Sequence, residues 1–191
     1  MAGLLSQEAG ADKIGMIVAQ EYPALTKMII PGFLAGAQAV NPNFELDQRL
    51  LGNWYDANKA AELTKSMVDG GAFVIGAICG GASQGVLDAA GEAGAKVMMW
   101  DSNEYGRAPG IVAGSGALAQ ERLVFEEVTK AIDGLLEFGT ARVVSLADGY
   151  VEFVTDDVNY KNTVSLPLQE AQDAVISSIK NGVLRLEVPE L

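Results

Sequence analysis

The chain has 191 residues, 49% of them hydrophobic and 20% charged, enough for one generous domain or two small lobes. Thirteen Lys and Arg stand against 25 Asp and Glu, a net charge of -12, which argues against nucleic acid or anionic lipid as a partner. With no histidine and one cysteine, Ser-His-Asp and Cys-His nucleophile systems, His-built metal sites and internal disulfides are all excluded.

Residues 1–12 carry neither a basic n-region nor a long apolar stretch, so they are not a secretory signal. Lys13–Ala19 is a short apolar run with polar flanks, the mark of a buried strand. Thr26–Val40 has Met28, Ile29, Phe33, Ala37 and Val40 at helical spacing and stops at Asn41-Pro42. Phe44–Leu51 reads as a second strand and Ala57–Asp69 as a helix closed by Gly70-Gly71. Ala72–Cys79, Ser83–Ala93 and Lys96–Trp100 repeat the pattern of strand, helix and strand. The longest apolar runs, such as Phe73–Cys79, are too short to cross a bilayer. Strands alternating with helices predict a parallel sheet covered on both faces.

After Asp101 the composition changes. Ser102–Gly116 is glycine-rich and reads as a loop holding a short apolar piece at Ile111–Ala113. A long amphipathic helix is predicted over 118–137, with Leu123, Val124, Val128, Ile132 and Leu135 on its apolar side. Two β-prone runs, Ala141–Leu146 and Tyr150–Val154, flank Asp148-Gly149, a hairpin signal. A last helix spans about Leu168–Asn181, and the tail carries Val188-Pro189.

Ligands of open parallel sheets bind beyond the carboxyl ends of the strands. Four strand ends are therefore candidates: Gln20-Glu21-Tyr22, Gly52-Asn53-Trp54-Tyr55-Asp56, Gly80-Gly81-Ala82-Ser83 and Asp101-Ser102-Asn103. Carboxylates accept from sugar hydroxyls, aromatics stack on a base, amides read its edge, and a glycine turn lets backbone N–H groups approach. Each residue also has a plainer reading. Gly80-Gly81 serves as a tight βα turn, Trp54 as packing, and Glu21 as a partner for the next helix's N-terminus. The pairs Glu126-Glu127 and Asp156-Asp157 read as solvated surface, and Cys79 as an inert core thiol. A glycosidase pair would need a separation that sequence does not show. A flavodoxin-like cofactor site lacks its phosphate loop, since Gln20-Glu21-Tyr22-Pro23 follows the first strand.

The segments KIGMIVAQEYPALTKMIIPGFLAGAQAVNP, LGNWYDANKAAELTKSMVDGGAFVI and GGASQGVLDAAGEAGAKVMMWDSN resemble the basic membrane protein family, the purine nucleoside receptor A-like binding proteins of bacterial ABC importers. The resemblance runs from about Lys13 to the end of the chain. It implies a type I periplasmic-binding fold: a three-layer α/β lobe with a parallel sheet over 13–110, and a C-terminal segment, 111–191, belonging to an incomplete second lobe. It implies ligand-binding roles for Asp101 on ribose hydroxyls, for Gly80 and Gly81 in the cleft turn, for Trp54 at the cleft mouth and for Glu21 after the first strand. Asn53 and Ser102 complete the candidate set as neighbours on the same strand ends. The implied activity is binding and cleft closure without catalysis or cofactor, with a nucleoside as ligand and an ABC permease as partner.

Most of the family's first lobe precedes the position of Lys13. Residues 1–12 then read as an extension or an artificial start, and the chain as a fragment of a periplasmic or cell-surface lipoprotein. The alternative is a naturally short, cytoplasmic regulatory or interaction module. Without their partner strands, the β-prone runs leave exposed sheet edges, so residues 111–191 are expected to be disordered, repacked or paired in a homodimer through those edges.

Overall fold

A computed structural model describes residues 1–140 and 143–185. Six strands form one sheet in the order β2-β1-β3-β4-β5-β6: β1 Lys13–Val18, β2 Glu45–Leu50, β3 Ala72–Ile78, β4 Lys96–Met99, β5 Val112–Leu118 and β6 Val151–Phe153. The first five run parallel; β6 is antiparallel to β5. Among the described residues seven α-helices accompany them: α1 Ala2–Glu8, α2 Ile30–Gln38, α3 Ala57–Asp69, α4 Ser83–Ala93, α5 Gln120–Ile132, α6 Val158–Thr163 and α7 Leu166–Lys180. None is long and apolar enough to cross a membrane, among the described residues.

The alternation of β1 explains the layers. Met16 and Val18 pack with Leu25 and Ile30 under the segment that leads into α2. Gly15 faces the other way, toward Met67 of α3 and Ile75. The sheet thus lies between helices on both faces, as a parallel sheet with near-continuous apolar strands requires. At the N-terminal ends of α3 and α4 the contact is so close that a Cβ on Gly85 would collide with the carbonyl oxygen of Ala57.

Residues 1–12, read above as an extension, form α1 over Ala2–Glu8, and its Ala2 and Leu5 join the main core. Gly3 brings α1 against α2, since a Cβ there would meet Ala37 Cα at 2.8 Å.

Several expectations change. The helix predicted over Thr26–Val40 is a π-helical turn, Leu25–Ile29, followed by α2. Pro31 has no N–H to offer the carbonyl of Lys27, and the wider turn lets Ile30 N–H reach Leu25 O instead. The glycine-rich loop expected over Ser102–Gly116 ends early, in β5. Its glycines make room for large side chains of β4 and the residue after it: a Cβ at Gly114 would lie 2.6 Å from Met98 Sδ, and one at Gly116 would lie 3.5 Å from Trp100. The sheet therefore continues past residue 110.

The predicted long helix is shorter, Gln120–Ile132, because Leu118 is taken by β5 and Gly134 adopts φ 71°. Of the first arm of the predicted hairpin, Ala141 and Arg142 lie outside the described residues, and 143–146 form no strand. The Asp148-Gly149 turn is present: Asp148 Oδ2 accepts from Ser145 N–H at 3.1 Å, and Gly149 has φ 75°. The second arm becomes β6, which pairs with β5 of the main sheet. Helix α6, unforeseen, is capped by Asp157, whose Oδ1 accepts from Asn159 N–H at 2.7 Å. The Val188-Pro189 tail lies outside the described residues.

The return of the chain to the sheet is fixed by a tyrosine. Tyr105, fully buried, donates its hydroxyl to Val154 O at 2.9 Å and accepts from Ser115 N–H at 3.1 Å. Its ring lies 5.5 Å from that of Tyr160 in α6. Burial drives the Tyr105 phenol well above the ordinary tyrosine range, and burial followed by the charge of Asp173 raises Tyr160 to about 12.

Candidate functional site

Because β1 to β4 are parallel, their carboxyl ends emerge along one edge. Backbone hydrogen bonds lace these ends together: Ala19 N–H to Ile78 O at 2.9 Å, Gly52 N–H to Ala19 O at 3.0 Å, and Ala82 N–H to Trp54 O at 3.1 Å. The last of these seats the β2 end against the β3 end. Gly80, at φ 58°, lies under Trp54: a Cβ there would come 3.2 Å from the indole Cε3. The turn supports the indole, which keeps 40% of its surface exposed.

Asp101 follows β4, the strand next to β3. It is the one non-glycine residue with positive φ, 79°, among the described residues, and it is exposed. Its carbonyl accepts from Leu118 N–H at 3.2 Å, which ties the chain just past β4 to the end of β5. Tyr22, from the end of β1, lies near enough that burial and then the Asp101 carboxylate raise its phenol above the ordinary value. The rim therefore holds two groupings, Trp54 with Gly80 and Gly81 at the ends of β2 and β3, and Asp101 with Tyr22 at the ends of β4 and β1.

The remaining candidates differ in what they are free to do. Glu21 is exposed on the rim. The Asn53 side-chain oxygen accepts from Tyr55 N–H at 3.0 Å and from Asp56 N–H at 2.8 Å, so that oxygen builds the turn that presents Trp54. Asp56 in turn caps α3 through Lys59 N–H at 3.0 Å. The hydroxyl of Ser102 donates to Glu104 Oε1 at 2.5 Å, and its carbonyl accepts from Ser115 Oγ at 2.7 Å.

Asn103 Nδ2 donates to Asp157 Oδ2 at 2.9 Å, tying the rim loop to the returning chain; this bond, with the Asn159 backbone N–H, holds the Asp157 carboxyl below its usual range. Trp100 forms a floor behind the rim, edge-on to Phe33 at 5.8 Å and packed over Gly76.

A family model described as ABC transporter substrate-binding protein PnrA-like, Bmp, matches residues 1–184. The chain belongs to the Bmp family.

The match starts at residue 1, so α1 lies inside it. Solved structures agree on the fold. A transcriptional activator of the comK gene from Bacillus halodurans superposes with TM-score 0.75 at 21% identity, over 97% of this chain and 62% of that one. An ABC transporter solute-binding protein from Aeropyrum pernix K1 gives 0.74 at 17% identity, over 99% and 61%. One from Conexibacter woesei gives 0.70 at 20% identity, over 97% and 61%. The architecture is that of type I periplasmic binding proteins, and the Bmp chain spans about three-fifths of the length of these structures.

The family model describes ABC transporter substrate-binding proteins. The family is one of periplasmic or extracellular binding proteins, not of enzymes. The rim chemistry is of that kind: it offers a carboxylate, a phenol, an indole and a glycine turn. Cys79, buried at the end of β3, has its thiol raised by burial, an effect partly offset by the Ser83 hydroxyl at 3.4 Å.

Two residues of the rim escaped the sequence reading. Tyr22 stood in the quoted strand end but acquires meaning only beside Asp101, 79 positions later. Trp100 reads as the last residue of a strand, and its place behind the rim follows from the glycines at 76 and 116 on the strands to either side.

Proposed function

We propose that this Bmp chain contributes the β-rim half of a nucleoside site for import, with purine nucleosides as the class. Asp101 accepts from ribose hydroxyls, Trp54 stacks on the base across the Gly80-Gly81 turn, and Tyr22 borders the sugar. Glu21 and Ser102 flank the pocket, while Asn53 supports Trp54. The observation that carries this reading is the placement, along one carboxyl edge of the sheet, of an exposed carboxylate after β4 and an exposed indole after β2 that rests on the Gly80 turn of β3, the strand beside β4. A ribosyl base needs both, one polar end and one flat apolar face.

Asp101 also carries the backbone strain expected of a residue held for function: a non-glycine residue at positive φ costs about 1–2 kcal/mol. The parent protein is proposed to be a lipoprotein receptor that delivers the nucleoside to its permease on closing. The family match favours transport over the regulatory alternative.

Saturation-transfer NMR with adenosine, guanosine and inosine reads even weak contact. Transfer to both ribose and base protons is expected, falling at least about tenfold in Asp101→Asn, the loss of one charge-assisted hydrogen bond. Trp54→Ala should remove the base signal first. Equal transfer to a free hexose, or indifference to both substitutions, would refute the nucleoside assignment.

A further inference from the structure

The Asp101 carboxylate makes no hydrogen bond or ion pair among the described residues, so its place on the rim is set by the main chain. That main chain is strained, at φ 79°. A non-glycine residue disfavours this region by roughly tenfold and stays there where its neighbours over-determine it.

The neighbours that do so come from β5. Leu118 N–H donates to the Asp101 carbonyl at 3.2 Å, and Ser115 Oγ donates to the next carbonyl, that of Ser102, at 2.7 Å. The same Ser115 oxygen accepts from Glu104 N–H at 3.0 Å. One hydroxyl thus clasps the loop on both sides of Asn103. On the other side of Asp101, Trp100 is packed over Gly76, so the chain is fixed before and after the aspartate.

Ser115 suits the task. It is fully buried, and each of its polar groups is paired: its N–H donates to the Tyr105 hydroxyl at 3.1 Å, and its carbonyl accepts from Val154 N–H at 3.0 Å. These two bonds lock its backbone to the returning chain and leave the hydroxyl for the loop. A carbonyl and an N–H are satisfied together by a side chain that both donates and accepts, which an aliphatic one cannot do.

We propose that Ser115 is a positioning residue for ligand binding: its hydroxyl holds loop 102–104 in the arrangement that keeps Asp101 left-handed and its carboxylate ready at the rim. The proposal rests on the nucleoside reading for what Asp101 then contacts. Ser115 acts through Asp101 and touches no ligand itself. A carboxylate already in place loses less freedom on binding, and affinity gains by that difference.

NMR on the whole chain tests the first half without ligand. A positive φ gives Asp101 a strong cross-peak between its own amide and α protons. Ser115→Ala should weaken that cross-peak. Tyr105→Phe, which removes the bonds to Val154 O and Ser115 N–H but spares the clasp, should keep it.

Saturation transfer reads the consequence. In Ser115→Ala, transfer to ribose protons should fall at least about threefold while transfer to base protons holds, because less of the population presents Asp101 correctly. Added to Asp101→Asn, the same substitution should cause no further loss, since residues that act through one another are not additive. Should Ser115→Ala lose its fold, Ser115→Cys, with a weaker hydrogen-bonding group of similar shape, carries the same readouts. An unchanged Asp101 cross-peak in the folded variant overturns the positioning role, and so does a full additive loss in the double variant. Absence of ribose transfer in the unsubstituted chain would instead refute the nucleoside reading, and the cross-peak would still decide the role of Ser115.

Discussion

Strands β1 and β3 and helix α5 all carry aliphatic residues, yet they treat them in opposite ways. In the sheet Ile14, Met16, Ile17, Val18, Val74 and Ile75 are fully hidden. In α5 Val124, Phe125, Val128 and Ile132 are all more than half exposed. Periodicity tells which residues share a face. It does not tell which face the protein takes, and α5 is held by its polar stripe because Tyr150 offers a ring to Arg122 and a hydroxyl to Glu126.

The same truncation should therefore have different consequences in the two regions. Ile75→Ala, at the centre of β3, is expected to cost about 2–5 kcal/mol through lost burial and a residual cavity. Val128→Ala should stay within about 0.5 kcal/mol. Urea unfolding of both variants measures the contrast, and comparable losses would erase the distinction between the regions.

A smaller effect concerns the junction between them. Tyr105→Phe removes a hydroxyl that satisfies Val154 O and Ser115 N–H, both in a buried setting, at about 1–3 kcal/mol. Hydrogen exchange should show β6 and α6 loosening while β1 and β3 keep their protection.

Asp101→Gly acts in the other direction. Relief of φ 79° is expected to stabilise the fold by about 1 kcal/mol while removing the proposed ribose contact, so thermal stability and binding should move oppositely.

The mildest perturbation at ordinary pH is alkaline. Tyr105 and Tyr160 hold their protons above the range near 10 where unfolded tyrosines ionise. The folded state then binds more protons than the unfolded one above about pH 10. Their contribution is complete below that pH and is lost as the pH rises through about 12, the value for Tyr160. Urea midpoints should be flat in this respect from neutral pH to about 9 and fall beyond about 10.

Much of the parallel lobe was legible because its signals are local. The apolar runs of β1 and β3, the Ala57–Asp69 helix and the Gly94 cap at φ 70° need only neighbours in sequence. What failed depends on distant partners. The glycines of β5 look like a loop until Met98 of β4 and Trp100 just after it arrive to fill the space above them. The break before α2 follows from one missing donor at Pro31. In the rim, the strand-end rule located Trp54, Gly80, Gly81 and Asp101 along one edge. The same rule could not reveal that Asn53 spends its oxygen on a turn, or that Tyr22 adjoins Asp101.

The chain leaves the sheet after Leu118 and re-enters it at Val151, and these two positions are paired in the β5–β6 register, with Ala119 and Tyr150 bonded just beyond. Two tethers lying side by side behave as a strap rather than a cord. Twisting or sliding α5 against the sheet would break ladder bonds, whereas flexing across the strap leaves them intact. Whatever swings with α5 has one easy direction, like a door on its hinge.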